Sequence, residues 1–222
     1  MKNTFNIEIP ELYKLKRSDR ERLVLTYFSA FESYPKLMSA FPDRNTRLFA
    51  LEATLRYYTA YDLKYGSGYS LDKDIHEAVM IIHSDRMDYT FRKHVTAGSY
   101  GKGYRAALRG LSKEDRLTRT KLFNELDRLE NGVDIAFPHL YIDFLGVARE
   151  YQSCGRGKRL MSRICAYADS VDLPLMLFTN TDDDVKFYQS LGFHIIGITH
   201  SDEFGFTNTY LQYEPDTQIS SM

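Results

Sequence analysis

Tryptophan is absent from this 222-residue sequence, and cysteine occurs only at positions 154 and 165. Two thiols eleven residues apart build neither a disulfide framework nor a thiolate metal site. No apolar run approaches the roughly 20 residues of a membrane span. Met1 to Glu8 carry no basic segment leading into a long apolar core, so the expected location is cytoplasmic, away from any membrane. An excess of one charge is also missing. The 29 Lys and Arg residues nearly match the 30 Asp and Glu, leaving a net of −1, which argues against wholesale nucleic-acid binding.

What is present is ordinary for a globular chain: 43% apolar and 27% charged residues, so disorder is not expected. With a domain prior of roughly 150 residues, one large domain over 1–222 is favoured over two. The charge is unevenly divided, because His139 onward holds 6 basic and 11 acidic residues and the remainder is net positive. Arg92 to Arg128 alone holds 10 basic and 4 acidic residues, either a solvated helical face or a site for phosphate or an acidic partner.

The most informative stretch is Tyr151 to Lys158, Tyr-Gln-Ser-Cys-Gly-Arg-Gly-Lys. An apolar run, His139 to Val147, reads as a buried strand before it. Leu160, Met161, Ile164, Tyr167 and Ala168 mark one face of a helix after it. Strand, glycine loop and helix make a phosphate-binding layout: glycines let the backbone approach a ligand, and the first helical turn presents unpaired N–H groups to an anion. Arg156, Lys158 and Arg159 add side-chain charge at the same place.

Elsewhere the periodicity predicts a helix over Asp19 to Ser33, capped by Ser18 and ended by Pro35. A longer helix follows from Asn45 to Lys64, with Leu48, Leu51, Leu55, Tyr58 and Tyr61 buried and Gly66 stopping it. Tyr69 to Leu71 and Glu77 to His83 read as a hairpin. Gly98 to Gly103 is a rival glycine cluster, but no strand leads into it, so it reads as a mobile link between helices. Ser112 caps a helix over Lys113 to Glu130. From Pro138 the order is strand, loop, helix (Gly157 to Ser170), strand (Pro174 to Thr179), helix (Asp182 to Leu191), then two strands, Phe193 to His200 and Phe206 to Tyr213. The first two of these strands are expected to be parallel and the last two to form an antiparallel hairpin.

Three segments in this order, Tyr141 to Val147, Gln152-x-x-Gly155-x-Gly157 and Asp184-Val-Lys-Phe187-Tyr188-x-x-x-Gly192-Phe193, resemble the GNAT superfamily of N-acetyltransferases. The resemblance covers about His139 to Tyr213. It implies an α/β (α+β) fold: a mixed central sheet with a splayed parallel strand pair, helices on both faces, and a helical N-terminal part. Residues 1–137 would form the variable, acceptor-binding part, 138–213 the acetyl-CoA-binding core, and 214–222 a frayed tail. The implied activity is transfer of an acetyl group from acetyl-CoA to a small-molecule or peptide amine in a ternary complex. No metal, membrane or nucleic acid is implied, and a homodimer is compatible with the chain.

The resemblance also assigns residues. Backbone groups near Leu145 and Val147 would pair with the pantetheine arm, with Gly146 at a strand bulge. Amides from Gln152 through Gly155, Arg156, Gly157 and Lys158 would cradle the pyrophosphate, leaving Cys154 a loop filler. Tyr188 would protonate the leaving thiolate, unless it is only a helix-packing aromatic beside Phe187. Strand alternation places His139, Tyr141, Asp143 and Leu145 on one face. Of these, Asp143 would act as general base, directly or through water, or bind a cationic amine; a salt-bridged strand carboxylate is the plain alternative. Two positions depart from the pattern: Phe178 stands where relatives often carry an acid, and Asp184 where they carry asparagine. An aspartate accepts from a pantetheine N–H but cannot donate, and Asn180 is the nearby substitute. The acceptor pocket is expected from the N-terminal helices and the Gly98 to Gly103 loop, whose tyrosines Tyr57, Tyr58, Tyr61, Tyr100 and Tyr104 either line it or pack in the core. A non-catalytic acyl-CoA sensor on the same fold, and an acidic-partner adaptor using Arg92 to Arg128, are the rival readings.

Overall fold

A computed structural model describes residues 7–135 and 137–216, so the expected leader-free start and most of the tail after residue 214 lie outside the described residues. In chain order the elements are β1 (Tyr13–Lys14), α1 (Arg20–Phe31), α2 (Pro35–Ala40), α3 (Arg44–Tyr65), β2 (Ser67–Ser70), β3 (Glu77–His83), α4 (Phe91–Ala97), α5 (Lys102–Arg109) and α6 (Lys113–Glu130). β4 (Leu140–Val147), α7 (Arg156–Val171), β5 (Leu175–Thr179), α8 (Asp182–Gln189), β6 (His194–Ser201) and β7 (Phe206–Tyr213) follow.

The strands form one sheet in the order β1-β2-β3-β4-β5-β7-β6. Every pairing is antiparallel except β4 with β5. The β3 run Ala78-Val-Met-Ile-Ile82 is buried on both faces because helices cover both. Val79 and Ile81 join Leu140, Ile142, Leu160, Ile164 and Tyr188 on the α7 and α8 side. Ala78 and Met80 join Leu23, Tyr27, Leu51, Leu55 and Leu122 on the α1, α3 and α6 side. Among the described residues no helix is long and apolar enough to cross a membrane.

Three local readings change. Pro35 does not merely stop the first helix; it occupies the first turn of α2, where its missing N–H costs nothing. Asp19 rather than Ser18 precedes α1, and its Oδ2 accepts from the Lys16 N–H at 2.8 Å and from the Tyr13 hydroxyl at 3.0 Å. The bulge in β4 lies at Asp143, not Gly146. Met80 pairs with Phe144 and Ile81 with Ile142, which leaves Asp143 as the extra residue, while Gly146 pairs regularly with Ala78. Gly146 is required for packing instead: a Cβ there would stand 2.7 Å from Cδ1 of Tyr27 on α1.

The bulge also resets the strand's alternation. Leu145 joins Leu140 and Ile142 on the α7 side, while Tyr141 and Phe144 pack on the opposite side. The simple odd-even assignment, which put Leu145 with Tyr141 and Asp143, fails for that reason.

Candidate active site

β4 and β5 pair only at Leu140 with Leu175 and at Tyr141 with Met176, and then diverge. Backbone groups of β4 beyond Tyr141 therefore have no partner on the β5 side. A cavity of about 950 Å³ opens in the gap. It runs from Gln152, Gly155, Gly157 and Lys158, along Leu145 to Val147 on one wall and Leu177 to Thr179 on the other, to Asp143, Tyr58 and Glu130. Two distant parts of the sequence thus meet in one continuous space.

The glycine loop has the geometry its sequence demands. Gly155 lies at φ +74°, in the left-handed region open to glycine, and precedes the first turn of the 16-residue α7. Gly157 brings that turn against β4, with the position of a Cβ falling 3.4 Å from a Val147 methyl. Gln152 turns back and donates from Nε2 to the Val147 carbonyl at 3.0 Å. Leu145, Val147, Gln152, Gly155, Arg156, Gly157, Lys158, Asp184, Asp143 and Tyr188 all line the cavity.

Arg156 lines it without offering its charge. Its guanidinium is paired with the fully buried carboxylate of Glu77 and lies 2.7 Å from Asp72 Oδ2. Glu77 also accepts from the Ser70 hydroxyl and the Leu71 N–H, both at 2.9 Å. The side-chain charge expected from Arg156 is a structural brace between β3 and the start of α7. Arg156→Ala leaves Glu77 buried without its counter-ion, and an expected loss of about 3 kcal/mol should appear in a denaturant melt. A companion Glu77→Gln change should recover part of that loss.

Asn180 is not brought to the cavity. Its Nδ2 donates to the Thr207 carbonyl at 2.8 Å and to the Asn208 side chain, tying β5 to β7. Asp184 is at the cavity, but its Oδ2 accepts from Thr179 Oγ1 at 2.8 Å and from the Tyr34 hydroxyl at 3.4 Å. Of the N-terminal tyrosines, Tyr57 and Tyr58 line the cavity. Tyr61, Tyr100, Tyr104 and the Gly98–Gly103 turn do not, and Tyr89 and Tyr141 take their place. Tyr61 is spent on a 2.7 Å hydrogen bond to the Arg86 carbonyl.

The chemistry of the cavity is set by ionisable groups that are partly or fully buried. Asp143 has its carboxyl pushed up to about 6 by burial, moderated by a hydrogen bond with Asp62 and by the Lys36 charge. Asp62, 0% exposed on α3, has no N–H or O–H donor among the described residues; its partner is Asp143 itself. Two carboxyls in hydrogen bond share a proton. Burial and the Asp143 charge push Asp62 far above the carboxylate range, so Asp62 is the member that holds it. Lys36 sits 4.7 Å from the centre of the Phe178 ring, and burial lowers it to about 8 against the pull of Asp143. Phe178, at the position that departs from the family pattern, thus supports a cation. Glu130 at the end of α6 is raised to about 7 by burial and by the charges of Asp143 and Asp127. Tyr188 is 7% exposed; its hydroxyl hydrogen-bonds to no described residue and is held neutral by burial and by Asp184.

Asp62, Lys36 and Glu130 were not among the residues singled out from the sequence. Two of them left a signal. Leu51, Leu55, Tyr58 and Asp62 follow one helical stripe, as do Leu122, Leu126 and Glu130, and a carboxylate on an apolar stripe faces the interior. Lys36 left none.

Residues 110–193 match the model of the acetyltransferase (GNAT) family. The match starts ahead of α6, earlier than the motifs alone indicated, and ends at Phe193. Solved structures agree on the fold. One, described as histone acetyltransferase HPA2 and related acetyltransferase from Corynebacterium glutamicum, superposes with a TM-score of 0.60 at 16% identity, over 94% of this chain and 97% of its own. Another, arylalkylamine N-acetyltransferase 2 from Aedes aegypti, superposes with a TM-score of 0.57 at 13% identity, over 91% and 97%. No curated protein matches in sequence. The chain shares the fold of these acetyltransferases, a seven-stranded mixed sheet with a diverging β4–β5 pair, and 110–193 is the segment that matches the GNAT family model.

Proposed function

We propose that the protein moves an acetyl group from acetyl-CoA to a primary amine by direct attack in a ternary complex. The divergence of β4 and β5, opening one cavity from the glycine loop to Asp143 and Tyr188, carries this reading. The N–H groups at the start of α7 offer a pyrophosphate its donors, and Gly155 and Gly157 keep side chains out of its way. The unpaired edge of β4 near Leu145 and Val147 offers the pantetheine arm a strand to lie against. Residues 1–137 supply the acceptor end through α1, α2, α3 and α6.

In the transfer, the neutral amine attacks the thioester carbonyl, the C–N bond forms and the C–S bond breaks. Asp143, ionised above about pH 6, takes the proton released by the amine. Tyr188, a neutral phenol with a free hydroxyl, gives its proton to the departing thiolate. Release of free thiol across an amine panel tests the proposal. Tight acetyl-CoA binding with no turnover on any acceptor would favour the sensor reading, which the engagement of Asp184 by Thr179 and Tyr34 makes worth testing.

The pH profile offers a sharper check. Because Asp143 must be ionised, kcat/KM should rise with pH through about 6. Lys36 favours the ionised form, so Lys36→Met raises the Asp143 pKa and moves this limb to higher pH. A limb unmoved in the variant would remove Lys36 from the electrostatics of the base.

A further inference from the structure

We infer that the acceptor is a dication, an aliphatic amine with a second basic nitrogen, whose reacting nitrogen lies at Asp143 while the distal one is held by Glu130 and Asp127; this rests on the transferase reading above. The acceptor end of the cavity is lined by three carboxylate side chains, Asp143, Asp127 and Glu130, with Asp62 directly behind Asp143. Lys36 is the one lysine or arginine side chain at that end among the described residues. Among the described residues Asp127 and Glu130 form no ion pair, and their side chains accept no hydrogen bond. Arg119, on the same helix, is turned against the rings of Phe123, Tyr104 and Tyr57 and lines none of the cavity. His94 is kept neutral by burial, with its pKa near 4.

A second observation is independent of the acids. Tyr141, 4% exposed, lines the cavity, and its hydroxyl hydrogen-bonds to no described residue. That hydroxyl opens on the cavity rather than being sealed in the core, and an ammonium group entering there supplies a donor that the protein does not. The walls between the two acidic points are aromatic, with Tyr58, Tyr89, Phe123 and Phe144, which suits both a methylene chain and the face of a cation. A metal ion is the other ligand that acids attract, but among the described residues no three donors are grouped as a metal site needs.

Steady-state thiol release should be compared for a linear aliphatic diamine and the monoamine of the same chain length, in the wild type and in Glu130→Gln. The expected kcat/KM ratio of diamine to monoamine is at least about tenfold in the wild type and falls toward one in the variant. Glu130 makes no ion pair among the described residues, so the glutamine variant should melt normally, which a thermal scan verifies. Equal rates for the two amines, a ratio unchanged by Glu130→Gln, or a preference for an aromatic monoamine over the diamine would overturn the inference. If no amine reacts, transfer itself fails. Calorimetric titration of the diamine and the monoamine onto the protein saturated with coenzyme A then decides the matter: about tenfold tighter diamine binding, weakened in Glu130→Gln, supports the inference, and equal binding overturns it.

Discussion

Asp143→Asn should lower kcat/KM for amine acceptors by about 10² to 10⁴-fold, the range spanned by loss of a positioned general base. The substitution keeps the shape of the side chain and removes its capacity to take a proton. Few exposed strand carboxylates would merit such a forecast. Asp143 does because its bulge places it in the cavity, and because burial raises it to about 6, close enough to neutrality to accept a proton and still be ionised at pH 7.5. Acetyl-CoA affinity should hold within a few-fold, since the coenzyme's contacts are assigned to the glycine loop and to β4 beyond Leu145. Asp62→Asn is the informative companion. Asp62 serves as a hydrogen-bond donor to Asp143, an asparagine N–H replaces that donor, and most of the activity should survive. Rates for Asp143→Asn within threefold of wild type would shift the proton to another acceptor, with Glu130 next in line.

Tyr188→Phe should reduce kcat by about 10²-fold with little change in acetyl-CoA binding. The ring is part of the packed layer with Phe187 and Phe193, at centroid distances of 5.1 and 5.3 Å, and phenylalanine preserves that packing. What disappears is a hydroxyl with no partner among the described residues, kept neutral at any working pH by its burial. A departing thiolate would then leave unprotonated. Single-turnover rates should fall with the steady-state rate. An unchanged kcat would return Tyr188 to the purely structural role that its buried ring also fits.

Most of the sheet could be read from the chain because its signals are local. The glycine loop, the α6 cap at Ser112 and the β6–β7 hairpin depend on neighbours within a few residues, and the structure reproduces them almost residue for residue. What escaped depends on contacts far apart in sequence. The bulge at Asp143 arises from its register with β3, some sixty residues earlier, and no residue within β4 announces it. Gly146 looked like the bend; its real constraint is Tyr27 on α1. Arg156 looked like a phosphate ligand until the fold brought Glu77 and Asp72 to it. The acidic residues of the acceptor end come from α3, α6 and β4, and only the divergence of β4 from β5 joins them to the loop that the sequence made obvious.

Isothermal calorimetry of acetyl-CoA binding to the wild type and to Gly157→Ala tests the central claim most directly. A methyl group at position 157 meets the Val147 and Phe187 side chains at 3.4 and 3.7 Å, ordinary contact, so the variant should fold, yet it adds bulk between two cavity-lining side chains in the turn assigned to the pyrophosphate. The expected result is saturable one-to-one binding by the wild type and an affinity lowered by about tenfold or more in the variant, with both proteins melting alike. No heat from the wild type at saturating acetyl-CoA, or equal affinity in the two proteins, would contradict the account.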